Sequence, residues 1–178
     1  FPILESEVYE LPRCLRQLEP RVLLRARVDT PGGALDVFSA HVARDACQVR
    51  RVTELVARRR RDLPSILMGD FNAVETSAEI RAMIEEAGFV DAYRRANPDA
   101  PGATVWQDID APSSTVRRRV DYIFLVPGRE VRGGVASSRI VFDRPQPLPG
   151  GGTLWPSDHY GVLAELTLEA GRRSTSAR

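Results

Sequence analysis

Ser65-Ile66-Leu67-Met68-Gly69-Asp70-Phe71-Asn72 is the stretch on which the fold turns. A short apolar run after Pro64, bounded by turn-forming residues, reads as a buried strand. At its carboxyl end stand a carboxylate and a carboxamide two residues apart. At extended spacing Asp70 and Asn72 project the same way, and Gly69 lets the chain turn sharply without a Cβ clash. Asp70 suits a hard cation or the orientation of a water. Asn72 can donate a hydrogen bond to a phosphoryl oxygen and accept another. Taken alone, either residue is a turn or helix-capping residue.

Working outward, Arg21–Asp29 and Leu35–Val42 read as strands joined by Thr30-Pro31-Gly32-Gly33, which predicts a hairpin. Leu35, Val37 and Ser39 fall on one face of the second strand, and Asp36, Phe38 and Ala40 on the other, with His41 at its end. Asp45–Arg61 reads as a helix whose Val49, Val52, Leu55 and Val56 recur at helical spacing. The run Arg58–Arg61 falls in its last turn as a solvated end that complements the dipole. Thr76-Ser77-Ala78-Glu79 is a capping-box match opening a helix through Ala87, closed by Gly88. Further strands are expected over Val120–Val126, within Arg132–Phe142 and over Tyr160–Leu168. Asn97–Gly102 and Arg144–Gly152 read as loops, and the tail 171–178 as disordered. The hairpin argues against a purely parallel sheet, so the class is mixed α and β.

The 178 residues suffice for one domain with a sizeable core, placed at 1–170. Hydrophobic and charged fractions of 43% and 28% are those of a soluble globular protein. A net charge of +1 supplies no global field for nucleic acid. All 25 basic residues are arginine, which fits coding bias better than a binding device. No apolar run has the length of a membrane span, and a monomer is expected. Cys14 and Cys47 lack zinc-ligand spacing. They read as two buried or half-exposed thiols rather than a disulfide. The first residue is Phe, consistent with processing, truncation or an incomplete reading frame.

Four strand ends carry polar residues: His41, the Asp70/Asn72 pair, Asp121 and the Asp158/His159 pair. Both histidines of the chain stand at such positions. A sheet edge can gather distant residues into one cleft. Asp158 suits Mg²⁺ or Mn²⁺. His159 can serve as base, acid or charge stabiliser near neutral pH, and needs a carboxylate on its other nitrogen, for which Asp121 is the candidate. Each has a plainer alternative. Asp121 could pair with Arg117, Arg118 or Arg119, Asp158 could cap a turn, and His41 could be a satisfied, half-buried histidine. Those alternatives must hold at four separate strand ends at once.

With these residues in place, the chain resembles the endonuclease/exonuclease/phosphatase superfamily, whose fold is like that of pancreatic deoxyribonuclease. Asp36-Val37-Phe38-Ser39-Ala40-His41 looks like the strand ending in its first histidine, and Gly69-Asp70-Phe71-Asn72 like its G-D-F-N signature. Arg119-Val120-Asp121-Tyr122-Ile123-Phe124 looks like its R-[IV]-D-Y-I-F strand, and Ser157-Asp158-His159 like its terminal S-D-H. The resemblance implies an α+β fold, a two-sheet β-sandwich flanked by helices in four layers (α/β/β/α). Here the N-terminal part of that fold, with its Asn and its principal metal-ligand Glu, would lie upstream of Phe1.

It also implies divalent-metal-dependent hydrolysis of phosphoesters, with Mg²⁺ or Mn²⁺ as cofactor and a phosphodiesterase or nuclease favoured. His41, Asp70, Asn72, Asp121 and His159 would be catalytic. His41, Asn72 and His159 would bind the phosphate, and Asp158, Asp70 and Asn72 the metal. The partner would be a phosphoester substrate, nucleic acid among the candidates, read by the loops Ala100–Thr115 and Asp143–Trp155. Alternatives are a lipid phosphodiesterase, an inositol-phosphate phosphatase, or an inactive fragment or binding module of the same fold.

Overall fold

The computed structural model describes residues 1–14, 19–44 and 46–168. A six-stranded mixed sheet forms its centre, in the order β1-β2-β3-β4-β6-β5. Its members are β1 (Ile3–Glu10), β2 (Val22–Thr30), β3 (Gly33–His41), β4 (Ser65–Asp70), β5 (Val90–Asp91) and β6 (Asp121–Val126). The β2–β3 hairpin forms as its sequence predicts: Thr30 pairs with Gly33 across Pro31-Gly32, and Gly33 takes φ +112°. β3 and β4 are parallel, and α1 (Ala46–Arg58) makes the crossover between them. The other strand pairs of this sheet are antiparallel.

The face of β3 bearing Asp36, Phe38 and Ala40 is buried. Phe38, Leu67, Phe124 and Val126 of the sheet meet Val49, Val52 and Val56 of α1 there, together with Ile80 and Met83. Those last two come from α2 (Ala78–Arg81) and the wider helical turn Ala82–Glu86 that continues it. The cap of α2 is Ser77, one residue after the predicted box start; its hydroxyl accepts from the Ile80 N–H at 3.3 Å. Asp36 is buried on this face yet satisfied, because Arg25, Arg27 and Arg61 all reach it.

The arginine run departs from its expected role as a solvated helix end. α1 stops at Arg58. Beyond it Arg59 pairs with Glu7, Arg61 with Asp36, and Arg60 donates to the Ala87 carbonyl and lies over Phe89. Long arginine stems cover apolar surface while their heads pair, so the run ties three elements together. The cysteines also depart from expectation. Cys14 and Cys47 form a disulfide, with Cα atoms 6.4 Å apart, that fastens the segment after β1 to the first turn of α1.

β7 (Gly134–Val141) and β10 (Gly161–Thr167) pair antiparallel in a second sheet opposite the α1 layer, over the β6 side of the first. α3 (Ala92–Ala96) packs against β6 and β7. A small hairpin of β8 (Gln146–Pro147) and β9 (Thr153–Leu154) lies inside the predicted loop 144–152 and its flank. The architecture is the α+β two-sheet arrangement that the sequence implied. Among the described residues the second sheet has two strands. The predicted disordered tail, 171–178, lies outside the described residues.

Candidate active site

Strand register brings the site together. His41 ends β3, Asp70 ends β4 and Asp121 opens β6, and the three are paired partners across adjacent strands. Side chains alternate along a strand. Since Ala40 and Tyr122 face the α1 core, His41 and Asp121 face the second sheet, as does Asp70. Gly69 is required by close approach rather than by a sharp turn. It has φ +144°, and a Cβ there would lie 1.8 Å from the Ala40 carbonyl oxygen.

Asn72 reaches this row by a different route from the extended one its spacing suggests. It adopts φ +48°, a left-handed conformation that asparagine tolerates better than most residues. Its backbone N–H donates to Asp70 Oδ1 at 2.8 Å, and its Nδ2 donates to the Val42 carbonyl at 2.9 Å. Its carboxamide nitrogen lies 3.4 Å from both His41 Nε2 and Asp70 Oδ2, and His41 Nε2 is 3.4 Å from Asp70 Oδ2. These contacts are longer than well-formed hydrogen bonds, leaving the donors and acceptors free to turn to a ligand.

His159 arrives from the segment leading into β10. Its Nδ1 is 3.0 Å from Asp121 Oδ2, so an Nδ1–H donated to the carboxylate leaves Nε2 as the nitrogen that faces a substrate. Asp121 forms no ion pair with Arg117, Arg118 or Arg119. Arg119 instead bridges Asp91, at 2.7 Å, and Glu75, with its guanidinium over the Tyr93 and Tyr122 rings. Burial pushes the Asp121 carboxyl above the ordinary aspartate range. Bonds from Thr104 and His159 partly offset that, and the charge of Asp70 adds to it.

Asp158 stands apart from the others. Its carboxylate is exposed and touches Ser157 Oγ at 3.3 Å, while its carbonyl accepts from the Gln107 N–H at 2.8 Å. The ligand atoms that come within 4.8 Å of one another belong to Asp70, Asp121 and His159. The two carboxylates form an oxygen donor set that fits Mg²⁺ or Mn²⁺, with water completing the shell and the imidazole beside it.

Two residues of the surround were not singled out from the sequence. Thr104 is buried, and its Oγ1 accepts from the N–H groups of Val120 and Asp121, at 3.2 and 3.4 Å, so it fixes the start of β6. Nothing in its loop marks it in advance. Gln107 accepts from the Tyr160 hydroxyl at 2.7 Å and so links that loop to the residue after His159.

The family model described as "Endonuclease/Exonuclease/phosphatase family" matches residues 15–159. No curated protein sequence matches the chain. Among solved structures, an endonuclease/exonuclease/phosphatase family protein from Bacteroides thetaiotaomicron is 22% identical, with a TM-score of 0.76 over 94% of this chain and 64% of that one. The mannosyl-6-phosphatase of the same organism is 23% identical, with a TM-score of 0.75 over 93% and 67%. D. rerio TDP2, complexed with a single-strand DNA product, is 22% identical, with a TM-score of 0.72 over 93% and 68%. The chain therefore spans less than two thirds of the first of these proteins. At such identities the likeness is one of fold. The family match covers most of the sequence, and the chain belongs to the endonuclease/exonuclease/phosphatase family.

Proposed function

We propose that the protein is a divalent-metal-dependent phosphoester hydrolase, with a phosphodiester as the favoured substrate. The observation that carries this reading is the in-register row of His41, Asp70 and Asp121, with Asn72 at one end and His159 bonded to Asp121 at the other. Phosphoryl transfer asks the protein for positioning and charge stabilisation more than for covalent chemistry, and this row offers both.

In this reading Asp70 orients the attacking water and takes up its proton. The Asn72 carboxamide and His41 donate to phosphoryl oxygens as charge builds on them. Asp121 holds His159 in one tautomer and stabilises its imidazolium, so that Nε2 can donate to a phosphoryl oxygen or protonate the leaving group. Asp70 and Asp121 would hold a divalent cation, with His159 beside it as the proton donor; the cation would polarise the phosphoryl group and lower the pKa of water. Asp158, exposed beside the cluster, would contribute through water rather than directly.

The test is hydrolysis of bis(p-nitrophenyl) phosphate by the full-length protein. Turnover should require Mg²⁺ or Mn²⁺, stop in excess chelator, and fall by about 10²–10⁴-fold in Asp70→Asn, the range for losing a positioned acid or base. Undiminished turnover in chelator would remove the metal from the reading. A protein that binds phosphoesters under every condition without cleaving them would be a binding module.

A further inference from the structure

Trp106 is 50% exposed, and two guanidinium groups lie over its ring, Arg44 at 4.7 Å and Arg118 at 4.8 Å from the centroid. Arg44 follows the β3 end that carries His41, and Arg118 precedes the β6 start that carries Asp121. Like charges gathered on one indole repel, and most clustered arginines of this protein offset that with carboxylates. Arg25 has Asp36, Arg94 has Glu75, and Arg119 has Asp91 and Glu75. Among the described residues Arg44 and Arg118 enter no ion pair. Both are exposed.

The two arginines also adjoin the row of candidate catalytic residues. Together with Asn72 they line a cavity of about 310 Å³, in which Glu79 is the one acidic lining residue among the described residues. The same three residues border the small cleft beside Trp106. A guanidinium stacked on an aromatic face keeps its in-plane N–H donors free, and that fork matches the oxygens of a phosphate. Trp106 therefore serves as a platform that holds two such forks next to the carboxamide of Asn72, with no carboxylate paired to them among the described residues.

We propose that Arg44 and Arg118, set by Trp106, form a subsite for a second phosphate group of the substrate. This inference rests on the proposed hydrolase reading for the position of the scissile phosphate. It makes the substrate a phosphoester with a further phosphate one unit along, such as a short single-stranded oligonucleotide, rather than a sugar monophosphate.

The test uses binding, apart from turnover. Trp155 is 4% exposed, so Trp106 is the indole that reports a ligand in this subsite by fluorescence. The protein is titrated in chelator with a thymidine tetranucleotide and, separately, with bis(p-nitrophenyl) phosphate, which has one phosphate. Wild type should bind the tetranucleotide. Arg44→Gln combined with Arg118→Gln should weaken it at least tenfold and reduce the slope of log K against log salt by ~0.7, the increment for one phosphate that the protein no longer neutralises. Binding of bis(p-nitrophenyl) phosphate should be unchanged, as should the midpoint of thermal unfolding. A sugar bisphosphate competing as well as the tetranucleotide would assign the second phosphate to a phosphorylated sugar and still support the subsite.

The subsite is overturned if wild type does not bind the tetranucleotide. It is overturned equally if the double variant binds like wild type, or if it loses both ligands alike. The two readings fail separately. A protein that cleaves no phosphoester yet shows the arginine-dependent binding loses the hydrolase reading and keeps the subsite. One that cleaves bis(p-nitrophenyl) phosphate but ignores the arginine changes keeps the activity and loses the subsite.

Discussion

The two faces of the six-stranded sheet are built to different rules. On the face toward α1 and α2, Leu23, Phe38, Leu67, Tyr122 and Phe124 are closed off from water, and the Phe71 ring meets Tyr122 and Phe124 edge-on. On the opposite face β7 and β10 cover the β6 side, and toward β1 the apolar surface stays open, with Val8 62% and Leu24 42% exposed. His41, Asp70 and Asp121 lie on that second face. On β3, β4 and β6 one side carries the closed core and the other the candidate site, so the two can be perturbed separately.

The largest effect expected from breaking this separation is on turnover. Asp121→Asn should lower single-turnover cleavage nearly as much as His159→Ala, by ~10²–10⁴-fold, because an amide cannot stabilise imidazolium and can select the wrong tautomer. The double variant should cost little more than the worse single one, since paired residues are non-additive. Urea unfolding should barely change. Additive losses, or normal turnover in Asp121→Asn, would leave His159 as an independent phosphate-binding group.

Phe124→Ala tests the closed face. Burial and ring contacts of this side chain put the expected loss at about 3–5 kcal/mol, read as a lower urea midpoint. A loss below about 1 kcal/mol would mean that this face is not the source of stability.

A smaller effect concerns acid. Burial raises the pKa of Glu75, but bonds from Arg119 and Arg94 outweigh it and hold the carboxyl below the ordinary glutamate value. A carboxylate depressed in the folded state stabilises above its unfolded pKa, and that contribution is lost as pH falls through the folded value. Glu75→Gln should therefore flatten the acid limb of stability against pH by lowering the plateau at neutral and higher pH, with little change at the acid extreme. An unchanged acid limb would remove Glu75 from the network's energetics.

The smallest effect belongs to the open face. Val8→Ser and Leu24→Ser should each change stability by no more than about 0.5 kcal/mol, as exposed positions usually do. A loss of several kcal/mol at either would show that this surface is covered in solution.

Much of this separation was legible in the sequence, for reasons that differ by residue. The β2–β3 hairpin and α1 announced themselves through Pro31-Gly32 and through the valines at helical spacing. The strand ends of the site were legible because polar residues there interrupt apolar runs. The route of Asn72 was not, because a positive φ stabilised by the Val42 carbonyl depends on a contact 30 residues distant. Asp158 illustrates a second limit. Its neighbour His159 bonds to Asp121, whereas Asp158 is exposed and lies outside the cluster of Asp70, Asp121 and His159, and adjacency along the chain does not distinguish the two placements. The Cys14–Cys47 bond was missed because a 33-residue separation carries no signature until β1 and α1 are packed. Val90–Asp91 and α3 are too short for periodicity to reveal.

The row His41, Asp70 and Asp121 works as a ruler. Its divisions are set by the backbone ladder, in which neighbouring strands lie about 4.8 Å apart, and not by the side chains mounted on it. Exchanging a residue on the row changes what is presented at a mark while the mark stays where it was. Redesign of this site can therefore vary the chemistry at three fixed positions, provided that Gly69 keeps β3 and β4 close enough for the scale to hold.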